Sequence, residues 1–265
     1  MKRILLTLLS LSVLTSFGQQ INPQGNNIKS RFPIPPAFER IPVVKGSFAA
    51  FLRGFPLKPN GTNVYLFDGS KKTNAQHVAV LNIDRGTKDL QQCADAVIRL
   101  RSEYLFSIGN YSNISFANFS EEAMRYDLYR QGYRMTNKGY KKVGKADTSK
   151  EGFRKYLDMV FSYANTYTFE KELKSLKNVQ DLTIGDVFIV SNPKSYGHAM
   201  LVMDVAQHPK TKEKIFLLAQ SYMPAQDIHI VRNPIAGGAW YYSSDLANTL
   251  YTPEWTFPLT ALHRF

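Results

Sequence analysis

Three side chains in this sequence have the types and order needed for thiol chemistry: Cys93, His198 and Gln220. Cys93 is the only cysteine, and it stands in Leu90-Gln91-Gln92-Cys93-Ala94-Asp95-Ala96-Val97-Ile98, which reads as a helix. His198 stands in Tyr196-Gly197-His198-Ala199-Met200-Leu201-Val202, which reads as a turn leading into a buried strand. A thiolate attacks a carbonyl carbon, and a neighbouring imidazole takes the thiol proton and returns it to the leaving amine. A third polar side chain holds the imidazole in the useful tautomer. Gln220, closing the apolar strand after the histidine strand, is the candidate orienter. Asp204 ends the histidine strand itself, about 20 Å from His198, and is too far to serve. Gln92 or Gln91, directly before the thiol, can donate to an oxyanion, and the free N–H groups of a helix N-terminus add to that. Tyr222 and Trp240 are the candidate substrate-contacting aromatics.

Each of these residues also has a structural reading. Cys93 lies on an apolar stripe with Leu90, Ala94 and Val97, as a small core residue would. His198 after a glycine can be a turn residue, and Gln220 can satisfy buried backbone groups. Trp240, with Tyr241 and Tyr242, can pack in the core or a loop. One positional conflict is specific. If Thr87 caps the cysteine helix, Cys93 sits nearly two turns inside it, where amides are already bonded and the dipole has weakened. A catalytic thiol needs the helix to begin nearer residues 90–92.

The elements that must position these residues follow from pattern. Residues 47–53 form a short amphipathic helix capped by Ser47, with turns and a strand over 63–67 after it, then a strand over 77–84. The cysteine helix should stop near Gly109. Residues 120–129 read as helical, and a polar stretch to Lys142 as strand and loop. Residues 150–163 form a strong amphipathic helix, with Phe153, Tyr156, Leu157, Val160 and Phe161 on one face. Thr168 caps a short helix to Leu176. Residues 185–190, 198–205 and 214–219 read as an antiparallel meander, with a fourth strand over 228–231. Helices first and a sheet afterwards imply an α+β fold.

Residues 1–18 have the form of a secretory signal: Lys2 and Arg3, an apolar run over 4–14, then Ser16 and Gly18. The run is too short to span a bilayer, so no integral membrane segment is expected after its removal. The expected product is periplasmic or secreted. It divides into an extended Pro- and Asn-rich arm over 19–45 and one domain over 46–265. In an oxidising compartment a lone thiol is buried, paired between molecules, or used chemically. The formal charge of +12 favours anionic surroundings such as an envelope polymer or peptide, with solubility alone as the plainer reading. Dispersed basic residues and the lack of a recognised module argue against nucleic acid. His208, His229 and His263 have no metal-ligand spacing, and neither a metal nor a cofactor is expected.

The order of these motifs resembles the papain-like cysteine amidohydrolases of bacterial cell walls, the NlpC and CHAP types. Gly185-Asp186-Val187-Phe188 and Gly197-His198-Ala199-Met200 match the two strand motifs of those families. The resemblance implies a papain-like fold, a Cys93–His198–Gln220 triad and hydrolysis of an amide bond in a cell-wall peptide. It departs at Gln92, where an Asp or another polar residue usually stands, and in an insertion over about 109–182. Most of the chain also resembles an uncharacterised family of secreted bacterial proteins, a domain of unknown function. The segments carrying that likeness are residues 89–97, 185–189, 217–226 and 252–257. The alternative function is a non-catalytic secreted protein that binds an envelope polymer or glycan on the same scaffold.

Overall fold

Four apolar runs in the last third of the chain form consecutive antiparallel strands, as their pattern predicts: Val187–Asn192, Ser195–Gln207, Lys214–Gln220 and His229–Val231. In this computed structural model, which describes residues 21–192 and 195–265, they are the centre of a nine-stranded sheet. Every residue from 198 to 206 is buried, because both faces of the histidine strand are covered. That is why residues 199–203, between His198 and Asp204, read as an unbroken apolar run and not as an alternating one. His77–Val80 pairs with His229–Val231 at one edge, and Leu262–Arg264 joins Val187–Asn192 to Lys174–Ser175 at the other. Glu39–Arg40 pairs with the far end of the histidine strand, and Tyr241–Tyr242 with Lys214–Gln220. The architecture is α+β, with a large antiparallel sheet and several helices.

The helix that carries the thiol runs Cys93–Ser107, and it buries Ala94, Val97, Ile98, Leu100 and Leu105. Thr87 does not cap it. Residues 82–92 form an irregular segment, and Gln92 is the N-cap residue. Asp89 explains the late start: its carboxylate accepts from the Ala225 N–H (2.6 Å) and the Gln92 side-chain amide (3.0 Å). These bonds tie the segment to the loop after Gln220 instead of letting it wind. Asp95 then accepts the Gln92 N–H at 3.1 Å, one half of a capping box. The helix stops at the predicted place, before Gly109, whose φ of +71° suits glycine.

The helices Phe48–Arg53 and Lys150–Tyr163 carry the predicted Ser47 cap and the predicted apolar face, respectively. Three local expectations are corrected. Thr168 is not a cap; Asn165 caps the helix Thr166–Lys171 by accepting the Thr168 N–H at 2.8 Å. Residues 120–129 are not one helix. The Asn118 carboxamide accepts from both Ser120 and Glu122 N–H, closing the hairpin Ser115–Ala117/Ala123–Arg125 before the short helix Tyr126–Tyr129. Residues 63–67 make only single bridges, because Asp227 takes the Tyr65 N–H that a ladder would need.

The segment expected as an extended arm contains the short helix Ile28–Arg31 and packs on the sheet. Its Arg40, with Arg53, closes on the fully buried Asp204 at 2.7 Å each. The predicted signal over residues 1–18 lies outside the described residues.

Candidate functional site

Cys93 is the first residue of its helix. The first helical bond is Ala96 N–H to Gln92 C=O at 3.0 Å, so the Cys93 and Ala94 amides precede the bonded ladder. Cys93 is half-buried, and its sulfur lies 4.0 Å from the Gly197 carbonyl oxygen. The Ala199 and Ala94 N–H groups and the Thr166 hydroxyl favour its thiolate. The thiol thus rests against the residues on either side of His198. Burial outweighs those donors and, with the charge of Asp95, pushes the thiol up to about 11. Burial also raises Asp95, to about 8.

The His198 imidazole is buried, with its Nε2 2.7 Å from Gln220 Oε1. Tyr222, Trp255 and Phe257 pack around the ring, with centroids 4.9, 5.4 and 5.7 Å away. Burial lowers His198 to about 4; the Gln220 bond opposes that shift and Lys72 adds to it. Thiol and imidazole are therefore both neutral at pH 7.

Gln220 has further partners. Its amide nitrogen donates to Glu254 Oε2 at 2.6 Å and lies 3.4 Å from His229 Nε2. Lys72 pairs with the other Glu254 oxygen and stands over the Tyr222 ring at 5.1 Å. Ser221 donates to the Gln91 carbonyl oxygen at 2.8 Å, and Asp89 takes the Ala225 N–H. The segment before the thiol is thereby fastened directly to the segment after Gln220.

The structure sets Cys93 against the backbone of Gly197 and Ala199, and packs the His198 ring against Gln220 and Tyr222, with Gln92 beside the thiol. Gln92 lines a pocket of about 180 Å³ with Asp89, Cys93, Asp95 and Thr166, though its amide is engaged by Asp89. Gln91 is turned inward, fully buried, and accepts from Arg99 at 2.9 Å. Trp240 is not at this site. It is buried, donates to the Pro33 carbonyl oxygen at 3.0 Å and packs beneath Arg40.

Thr166, Glu254, His229 and Lys72 escaped sequence reasoning. His229 had a usable signal: it is the residue directly opposite Gln220 in the neighbouring strand. Glu254 had a weaker one, as a carboxylate beside Trp255 in an aromatic tail. Thr166 and Lys72 come from remote segments and had none.

Among the described residues no group of three or more His, Cys, Asp or Glu side chains is placed to hold a metal ion. No helix among them is long and apolar enough to cross a membrane. No curated protein and no solved structure matches the chain. A family match spans residues 28–264, nearly all of the described chain, and on that match the chain belongs to the family described as domain of unknown function (4846).

Proposed function

We propose that the protein is a secreted cysteine amidohydrolase with a papain-like site, acting on an amide bond of a cell-wall peptide. One observation carries this reading. The only thiol opens a helix and lies against the Gly197–Ala199 backbone, while the imidazole between those residues is oriented by Gln220 at 2.7 Å. With Nε2 engaged by Gln220, Nδ1 is the nitrogen that takes the Cys93 proton. Sulfur bonds to the carbonyl carbon, and the Cys93 N–H, free of helical bonding, faces the developing oxyanion. The C–N bond then breaks, and the imidazolium returns its proton to the departing amine. Water deprotonated by the same nitrogen attacks the thioester, releasing the acid and restoring the thiol.

Because thiol and imidazole are neutral at rest, proton transfer accompanies attack. Burial and the nearby Asp95 charge hold the thiol up, so it is the un-ionised form that meets the substrate at pH 7. Cys93→Ser should abolish hydrolysis of a cell-wall peptide digest, read as new amino groups, while leaving the unfolding midpoint within a degree or two. Full activity in that variant refutes the assignment.

The second reading is a non-catalytic binding protein on this scaffold. It draws on the neighbouring pocket of about 340 Å³, lined by Asn165, Tyr167, Ser191, Tyr196 and Gly197, in which Tyr196 is 73% exposed. Retention of an envelope glycan by wild type and Cys93→Ser alike, with no hydrolysis by either, selects it.

A further inference from the structure

We propose that Glu254 and His229 clamp the Gln220 carboxamide in one orientation and so fix the tautomer of His198, making Glu254 a positioning residue. This rests on the thiol–imidazole reading of the site and adds a layer behind it.

The argument is one of donors and acceptors. A carboxamide presents one acceptor oxygen and one donor nitrogen, and rotation by half a turn exchanges them. His229 Nδ1 is 2.9 Å from the Asp227 carbonyl oxygen, which can only accept. Nδ1 therefore carries the proton, and His229 Nε2 is a bare acceptor. Burial holds His229 far down, at about 3, so it stays neutral and keeps that arrangement. The Glu254 carboxylate is likewise an acceptor, and Lys72 takes its other oxygen. Two acceptors thus face one end of Gln220, at 2.6 and 3.4 Å, and that end must be the nitrogen. The oxygen is left for His198 at 2.7 Å, so Nε2 of His198 must carry hydrogen. Nδ1 is then a bare lone pair, the form a base for Cys93 requires.

Without Glu254 the constraint weakens. A rotated amide would face a single long contact to a bare nitrogen instead of a carboxylate. Gln220 could then offer its nitrogen to His198 and stabilise the Nδ1–H tautomer, which has no lone pair on that nitrogen. A glutamine at 254 has one acceptor oxygen where Lys72 and Gln220 need two, so it should loosen the lock as well, though less than alanine.

The test is nitrogen-15 NMR of histidine-labelled full chain at pH 7, without substrate, with His198 assigned from a His198→Gln spectrum. Wild type should show His198 only as the Nε2–H tautomer. Glu254→Ala should raise the Nδ1–H form at least tenfold, and Glu254→Gln should raise it to a lesser degree. Should Glu254→Ala fail to fold, Glu254→Met keeps the volume without the acceptor and replaces it. An Nδ1–H tautomer in wild type, or one tautomer unchanged in all variants, overturns the proposal. Because the tautomer is read without turnover, a locked His198 in a protein that hydrolyses nothing defeats the amidohydrolase reading and leaves the clamp standing.

Discussion

Asp95 tests the electrostatics around the thiol. Its carboxyl is raised to about 8 by burial, against about 4 in an unfolded chain. A carboxyl raised on folding gives a stability that is fully present below pH 4 and is lost as pH rises through 8. Asp95→Asn keeps an acceptor for the Gln92 N–H but carries no charge. The variant should match wild type near pH 4 and exceed it at pH 9 by the order of a few kcal/mol, measured by urea unfolding at both pH values. A difference that does not change with pH contradicts the buried, raised carboxyl. The same substitution removes the charge that helps push Cys93 up, so alkylation of Cys93 at pH 9 should quicken.

At the scale of elements, the site depends on how closely the histidine strand approaches its neighbours. A Cβ on Gly197 would stand 2.4 Å from the Val190 carbonyl oxygen and 3.0 Å from Thr166 Cγ2. Backbone cannot yield as a flexible side chain does, so Gly197→Ala must displace the strand beside Cys93. It should cost ~1–3 kcal/mol in thermal unfolding and lower hydrolysis about tenfold or more. Unchanged activity means that the strand's position does not set the chemistry. The elements that were legible in the sequence were those whose pattern and caps agree. Lys150–Tyr163 has an apolar stripe behind a Ser149 cap, and the central strands are long apolar runs. The cysteine helix was legible in kind but not in its start, because Asp89 bonds across 136 residues to Ala225. Local capping preference carries no trace of such a partner. The same holds for the proposed site: Cys93, His198 and Gln220 stood out in the sequence by type and strand order, whereas Lys72 and Thr166 reach their neighbourhood through tertiary contacts alone.

For the whole molecule, Asp204 shows how the N-terminal segment is held. It was set aside as an orienter for His198, and it serves instead at the far end of the same strand. Both its oxygens are taken, by Arg40 and Arg53 at 2.7 Å, with Arg40 17% exposed and Arg53 9%. Removing the carboxylate leaves two guanidinium groups facing each other in a closed space. Asp204→Ala should therefore cost ~3–5 kcal/mol, and Arg40→Ala distinctly less because its head reaches solvent, both read as urea midpoints. Equal losses contradict a shared buried charge.

The central claim is that Cys93 becomes covalently acylated with His198 as its base. Intact-mass spectrometry after acid quench of the protein with a cell-wall peptide digest tests it most directly. Wild type should carry an acyl adduct mapped to Cys93, absent from both Cys93→Ser and His198→Ala. Hydrolysis of the digest with no adduct on Cys93, persisting in Cys93→Ser, would contradict the account.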